Sequence, residues 1–139
     1  IKYRVKPVQT EERSKAKLDD YMNRLSRQFL MVHQERHVVS LEIKNIGFAD
    51  MEGKNARIHL ADKSTISCGE RLPELKALLP QSAFCFCHHS FLINLGYVLE
   101  IVRYQARMRD GSVIPVSKKY YNSTRDAFMY YLEERFRFS

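Results

Sequence analysis

Four side chains that can bind zinc lie close together, at Cys85, Cys87, His88 and His89. A structural zinc site needs thiolate or imidazole ligands that surround the ion as a tetrahedron. On a strand, Cys85 and Cys87 would face one way and His88 the other, because successive side chains alternate. No second pair at CxxC or HxxxH spacing completes a set, and Cys68 is the only remaining cysteine. We therefore expect small core side chains and no metal, with a redox or metal sensor on Cys85, Cys87 and His88 as an alternative.

A hydrolase would need a nucleophile, a base and a third group that orients the base. Ser90 directly follows His89, and this adjacency is too local for such a triad. The sequence has no Gly-x-Ser-x-Gly motif, no phosphate loop and no dinucleotide-binding fingerprint. Paired carboxylates at 19–20 and 133–134 fall on predicted helices, where such pairs are usually solvated. We expect no catalytic site and no cofactor.

Three compact sets of cations and hydrogen-bond donors are better suited to recognition. They follow a predicted turn, a predicted strand and a predicted helix start: Lys54, Asn55 and Arg57; His88, His89 and Ser90; Ser117, Lys118 and Lys119. Arg and Lys suit phosphates and guanine edges, Asn suits adenine, and the N–H groups of a helix start suit phosphates. No helix-turn-helix, zinc-finger or basic-zipper pattern supplies a recognition helix. These sets predict nucleic-acid binding through loops.

Charge and geometry predict a role for each candidate. The residues that would neutralise phosphates and fix the register are Lys54, Arg57 and Lys119. The residues that would read base edges are Asn55, His89 and Lys118. Two further polar residues, His88 and Asn94, are predicted to orient the loop through hydrogen bonds.

Three helices are predicted to flank and interrupt the region that carries these sets. The first, over 10–27, has Thr10 as its N-cap and two glutamates in its first turn. The second, over 71–79, has a proline in its first turn, and the third, over 118–136, is capped by Ser117. Their apolar residues at helical spacing are Leu18, Tyr21, Met22 and Leu25; Leu72, Leu75, Leu78 and Leu79; and Tyr121, Phe128 and Leu132.

Between the helices the hydrophobic period shortens to that of β-strands. Hairpins are predicted at turns formed by Glu35-Arg36, by residues 52–54 and by Asp110-Gly111, the last as a type I′ turn. The other strand-like runs are 64–67, 83–87 and 97–102, and a strand over 1–5 is predicted before Lys6-Pro7. Short strands separated by frequent turns indicate a mainly β core from about 29 to 117.

Composition narrows the partner and the compartment. The 139 residues carry a net charge of +7, and the positive excess lies at the two flanks, 1–28 and 102–139. A basic protein of this kind suits a polyanion, either DNA or an anionic membrane face. No apolar run approaches the roughly 20 residues of a membrane span. Three cysteines fit a reducing, cytoplasmic setting. The start at Ile1 is interpreted as that of a fragment.

Several segments together resemble the LytTR DNA-binding domain of LytR/AlgR-type response regulators. The run CHHSFLIN at 87–94 is followed by Asp-Gly at 110–111 and by IPVSKKY at 114–120. An earlier element, EGKNARIH at 52–59, matches in the same order. The resemblance covers about 29–136. The position that is usually Arg in the family is His89 here, which cannot make a bidentate contact with guanine, so the target sequence is expected to differ.

The resemblance implies an elongated antiparallel β fold of about ten short strands that reads double-stranded DNA through loops. It places the contact loops at 54–57, 88–90 and 118–119. It also implies that 1–27 is the last strand and final helix of a receiver domain with a linker, and that 28–139 is the DNA-binding domain. The implied partners of the full-length protein are a sensor histidine kinase, a second copy bound through the receiver, and paired DNA half-sites. A protein-interaction or anionic-membrane module remains the second alternative.

Overall fold

The computed structural model describes residues 12–136, with their side chains except those of 12–14 and 25–27. The helices of this range are α1 (Glu12–Gln28), α2 (Leu72–Leu78) and α3 (Lys118–Phe136). Its strands are β1 (Phe29–Gln34), β2 (His37–Glu42), β3 (Ile46–Glu52), β4 (Asn55–Leu60), β5 (Thr65–Ser67), β6 (Phe84–His88), β7 (Phe91–Asn94), β8 (Val98–Val102), β9 (Gln105–Met108) and β10 (Val113–Pro115). Short 3-10 helices occupy Ile43–Asn45 and Leu95–Tyr97. The predicted strand at 1–5, the Lys6-Pro7 turn and the Thr10 cap lie outside the described residues.

The strands form three antiparallel sheets. The largest has five strands in the order β5-β4-β3-β7-β6, and a second has three in the order β10-β9-β8. The β1–β2 hairpin stands as a two-stranded sheet. In the large sheet, β3 joins the hairpin partner β4 on one side and β7 on the other, with Ala49 opposite both Ile58 and Leu92. The prediction of a mainly β fold with about ten strands and three helices is confirmed.

The large sheet carries a hydrophobic core on each face, because alternate side chains of its strands point to opposite faces. One core joins the sheet to α2 and to the β1–β2 hairpin, and it includes Leu30, Val32, Ala49, Ile58, Leu72, Leu75 and Phe84. The other core joins the opposite face to the three-stranded sheet and α3, and it includes Cys87, Ile93, Val98, Ala106, Ile114 and Val116. Thr124 of α3 is fully buried and donates its hydroxyl to the Phe86 carbonyl at 3.3 Å, which attaches α3 to β6.

The predicted hairpins and helices are found, with one turn type corrected. A type I′ turn needs positive φ at both central residues, but of Asp110 and Gly111 only Gly111 has it, at +94°. The Gly111 N–H donates to the Met108 carbonyl at 3.0 Å, and the Met108 N–H donates to the Ser112 carbonyl at 2.8 Å. The loop therefore has three residues, with glycine at its left-handed position.

Three smaller predictions about elements were wrong. Leu78 was expected on the buried side of α2, but its side chain is 54% exposed because the helix ends there. Ser117 was expected to cap α3, yet its buried Oγ has no hydrogen-bond partner. Strand β7 was not predicted, although it lies between β3 and β6 in the large sheet.

Candidate nucleic-acid interface

The topology brings the first two predicted loops to the same end of the large sheet. Strand β3 runs antiparallel to β7, so the end of β3 at Glu52 and the start of β7 at Phe91 lie at the same edge. The β3–β4 turn therefore neighbours the β6–β7 turn. The first turn carries Lys54, and the second carries His89 and Ser90.

Helix α3 begins at this end as well. The Ser117 N–H donates to the Cys87 carbonyl at 3.0 Å, which fixes the start of the helix beside the end of β6. Lys118 and Lys119 follow directly, and both are exposed. Three of the loops that connect sheet and helix are thus gathered at one end, which we call the loop end; the opposite end, with the turns at 62–63, 95–97 and 109–112, is the far end.

The β3–β4 turn presents Lys54 and Asn55 to solvent. Gly53 adopts φ +68°, a left-handed conformation that favours glycine, and this allows a tight two-residue turn. Lys54 and Asn55 are both exposed. Their side chains are available to a ligand at the loop end.

Arg57 occupies a different environment, because its charge is matched within the sheet. Its Nε and Nη2 donate to the two carboxylate oxygens of Asp50, each at 3.0 Å, and its side chain is 35% exposed. The His59 Nε2 lies 3.0 Å from Asp50 Oδ1. Partial burial by itself raises the pKa of Asp50, but hydrogen bonds from Arg57 and His59 outweigh it and hold that pKa below 3.8. Its role toward phosphate stays a prediction.

The β6–β7 turn holds His88 inward and presents His89. The His88 Nδ1 accepts a hydrogen bond from the Ser90 N–H at 3.1 Å, and its ring meets Phe91 edge to face at 5.5 Å between centroids. The His89 ring stacks on His88 at 4.7 Å and is exposed. The prediction that His88 orients the loop through a hydrogen bond is confirmed, and the bond leaves His89 as the outward side chain.

Asn94 has a structural role at a different place from the one expected. Its Nδ2 donates to the Ile46 carbonyl at 2.7 Å, and its Oδ1 accepts from the Gly96 N–H at 2.9 Å. Both partners lie at the far end of the sheet. Asn94 therefore orients the 3-10 turn at 95–97, not the histidine loop.

The cysteines are core residues. Cys87 is fully buried, and burial raises the pKa of its thiol to about 12; burial likewise raises the pKa of Cys85 to about 11. Burial also raises the pKa of Cys68 to about 11. Thiols protonated at neutral pH are poor nucleophiles, which weakens the redox-sensor alternative. In the part of the chain that the structure describes, no three His, Cys, Asp or Glu side chains are grouped so as to hold a metal ion.

The loop end also contains a turn that sequence reasoning missed. The two-residue connection between β8 and β9, Arg103-Tyr104, lies beside the start of α3, because the Val116 N–H donates to the Tyr104 carbonyl at 2.9 Å. The sequence left 103–106 unassigned between two strand-like segments. An arginine and a tyrosine at a turn were the available signal. Across residues 12–136, no helix is long and apolar enough to cross a membrane.

Comparison with known proteins identifies related sequences and a related fold. The family model described as LytTr DNA-binding domain matches residues 36–129. Sensory transduction protein LytT of Bacillus subtilis strain 168 is 30% identical over 139 residues, which covers 86% of this chain and 56% of that protein. Sensory transduction protein LytT of Oceanobacillus iheyensis is 30% identical over 96 residues, which covers 64% of this chain and 39% of that protein. The chain thus spans about half the length of these relatives.

A solved structure has the same fold. It is the LytTr DNA-binding domain of a putative methyl-accepting/DNA response regulator from Bacillus cereus, with a TM-score of 0.62 and 20% sequence identity. The match covers 73% of this chain and 96% of that one. The arrangement of short strands described above is therefore one that a solved LytTr domain adopts.

Proposed function

This chain belongs to the LytTR family of DNA-binding domains, and from that premise we propose that it is the output domain of a two-component response regulator that controls transcription. It binds double-stranded DNA in a sequence-specific manner. The observation that carries the proposal is the gathering of three polar loops at one end of the sheet, on elements that the two cores hold in place. The proposal assigns no catalytic role to the chain.

The roles of individual side chains follow from their exposure and charge. Lys54 and Lys119 are exposed cations that suit backbone phosphates, and phosphate contacts fix the register of a protein on the duplex. Asn55, His89 and Lys118 are the proposed readers of base edges. Arg57 keeps its proposed phosphate role only as a guanidinium shared with Asp50. Ser90 and His88 shape the loop that carries His89.

The start of α3 deserves the central place among these loops. N–H groups in the first turn of a helix have no partner within the helix and attract anions. Lys118 and Lys119 add two positive charges at that position. A phosphate beside the helix start would then place Lys118 at the edge of a groove.

The full-length protein is proposed to act through a receiver domain that precedes residue 28. A sensor histidine kinase would phosphorylate the receiver, which would pair two copies, and each copy would occupy one half-site. Linking two weak binders raises the apparent affinity through effective concentration, without new contacts. A bacterial regulator of chromosomal DNA acts in the cytoplasm, which is the compartment we propose.

Selection of binding sequences from a random duplex pool, followed by fluorescence anisotropy of the winning duplex at several salt concentrations, tests the proposed function. We expect an enriched short motif and a linear fall of log affinity with log salt. Vesicles of acidic lipid serve as the second ligand. Binding to these vesicles without an enriched DNA motif would instead support an anionic-membrane module, and a thiol-dependent DNA affinity would support a redox sensor.

The variant Lys118→Ala tests the base-reading role on the selected duplex. We expect a loss of about 1–3 kcal/mol of specific binding and a relaxed preference at one base position. The matched control is Lys44→Ala, which removes an exposed lysine from the far end. A uniform loss over all sequences, with a smaller salt slope, would reassign Lys118 to a phosphate.

A further inference from the structure

The β8–β9 turn is placed among the DNA-reading loops by backbone hydrogen bonds. Its Tyr104 carbonyl accepts from the Val116 N–H at 2.9 Å, and the next residue, Ser117, donates to the Cys87 carbonyl at 3.0 Å. The turn is thus two short steps from the β6–β7 loop and one from the start of α3. It occupies the outer side of the loop end, on the three-stranded sheet.

Arg103 carries a positive charge that no carboxylate balances. Within the described residues, other arginines have acidic partners, such as Arg57 with Asp50 at 3.0 Å and Arg107 with Glu100 at 3.6 Å. Arg103 is exposed and forms no ion pair in the same part of the chain. Its guanidinium carbon lies 5.8 Å from the Tyr104 ring centroid. The charge is therefore available to an anion.

Two tyrosines give this turn a firm backing. Tyr104 meets Tyr121 of α3 edge to face, with 5.5 Å between ring centroids, and Tyr121 packs against the second core. The Arg125 guanidinium carbon lies 5.8 Å from the Tyr121 ring centroid. Tyr104 is still 41% exposed. The tyrosine pair thus couples the turn to the helix that carries Lys118, and it leaves arginines on both sides of the pair.

We propose that the Arg103-Tyr104 turn is a fourth DNA-contacting element, and that its Arg103 guanidinium binds a backbone phosphate beyond those reached by the other three loops. This inference rests on the proposed function, since it assumes that the loop end faces DNA. A phosphate is the chemistry that fits, because a guanidinium matches phosphate oxygens and the turn lies at the margin of the loop end. The Tyr104 hydroxyl is positioned to add a donor to the same backbone.

The backbone of the turn permits a variant that removes the charge alone. Arg103 has φ +51°, a left-handed conformation that asparagine tolerates well. Lys63 has the same feature, with φ +75°, in a turn at the far end. The variants Arg103→Asn and Lys63→Asn therefore make the same charge change in equivalent backbone settings at opposite ends of the sheet.

The test is the salt dependence of duplex binding, measured by fluorescence anisotropy for the wild type and both variants. We expect Arg103→Asn to weaken binding about fivefold near 0.1 M salt and to lower the slope of log affinity against log salt by about 0.9, with sequence preference unchanged. We expect Lys63→Asn to match the wild type. Tyr104→Phe keeps the ring contact with Tyr121 and is expected to lose about twofold.

Equal slopes for Arg103→Asn and Lys63→Asn would overturn the proposal, and so would a changed base preference in Arg103→Asn, which would make the residue a base reader. The slope comparison can be made on any duplex. If the wild type binds DNA without an enriched motif, the proposed function fails while the slopes still decide about Arg103. If the wild type binds no duplex, both fall together.

Discussion

The basic residues of this chain differ most in whether a carboxylate already matches their charge. Lys54, Lys118 and Arg103 are exposed at the loop end without an ion pair in the described range, whereas Arg57 is held by Asp50 through two hydrogen bonds. A cation committed to a carboxylate loses that partner when it turns toward DNA. Net charge therefore overstates the number of groups that can bind phosphate, and the pairing of each residue decides its role.

The Asp50 carboxylate is predicted to stabilise the β3–β4 hairpin in a pH-dependent way. We expect Asp50→Asn to lower the free energy of unfolding by about 1–2 kcal/mol at pH 7, because the charged hydrogen bonds to Arg57 and His59 are lost at a partly exposed site. The pKa of Asp50 is lower in the folded chain than its ordinary value of 3.8. The stabilisation is therefore present above that value and is lost as the pH falls through the lower, folded pKa.

Urea unfolding of both proteins from pH 7 down to pH 3 measures this effect. The difference in free energy of unfolding between wild type and Asp50→Asn is expected to be constant from pH 7 to about pH 5 and to shrink below it. A difference that grows as the pH falls would contradict the assignment of Asp50 as a paired, ionised carboxylate.

At the scale of elements, Asn94 joins β7 to β3 and to the 3-10 turn that follows β7. Its side chain is 7% exposed and makes both of its described bonds to backbone groups. We expect Asn94→Ala to lower the free energy of unfolding by about 2–3 kcal/mol, since it leaves a backbone carbonyl and a backbone N–H without their partner. Urea unfolding at pH 7 measures the change.

The control for Asn94→Ala is Asn45→Ala. Asn45 is exposed and donates to Glu42 at 3.1 Å, so its loss is expected to change the free energy of unfolding by less than about 0.5 kcal/mol. Equal effects of the two variants would show that the bonds of Asn94 do not hold the sheet together.

Hairpins were predictable from sequence because their turns carry local signals. Glu35-Arg36, Gly53 and Gly111 all lie where alternating runs stop, and the strands on either side were found as expected. Strand β7 has no such signal. It is four residues long, three of its residues are buried, and its pairing with β3 spans more than forty residues of sequence. A strand covered on both faces lacks the alternation by which strands are recognised.

The candidate site was predictable in its residues but not in its geometry. The types of Lys54, His89 and Lys118, together with the family resemblance, indicate recognition loops. Their convergence depends on the β3–β7 register and on the Ser117–Cys87 hydrogen bond, which are long-range contacts. The Arg103-Tyr104 turn was missed for the same reason, because only its contact with Val116 places it beside the other loops.

For the whole molecule, the two cores show which part of the chain folds together. Their buried residues extend from Leu30 to Val116, with Thr124 of α3 attached to β6. The apolar side chains described on α1 are uncovered, with Leu18 45%, Tyr21 50% and Met22 55% exposed. Helix α1 thus contributes little burial in this range, which supports the proposed boundary near residue 28.

A chain that begins at residue 29 is accordingly predicted to fold and to bind DNA. We expect its free energy of unfolding to remain within about 1 kcal/mol of that of the full chain, because the cores are kept. Its affinity for a single half-site is expected to be unchanged. Urea unfolding and anisotropy measure the two quantities, and a non-cooperative unfolding curve would place α1 inside the folded unit.

The central claim is that the loop end of the sheet faces DNA. The most direct test is to titrate the isotope-labelled protein with its selected duplex and to follow the backbone amide signals by NMR. The account predicts that the largest shift changes fall at 53–55, 88–90, 103–104 and 117–119, and that the turns at 62–63 and 95–97 stay unchanged. Changes concentrated at the far end or along α1, with the loop end silent, would contradict it.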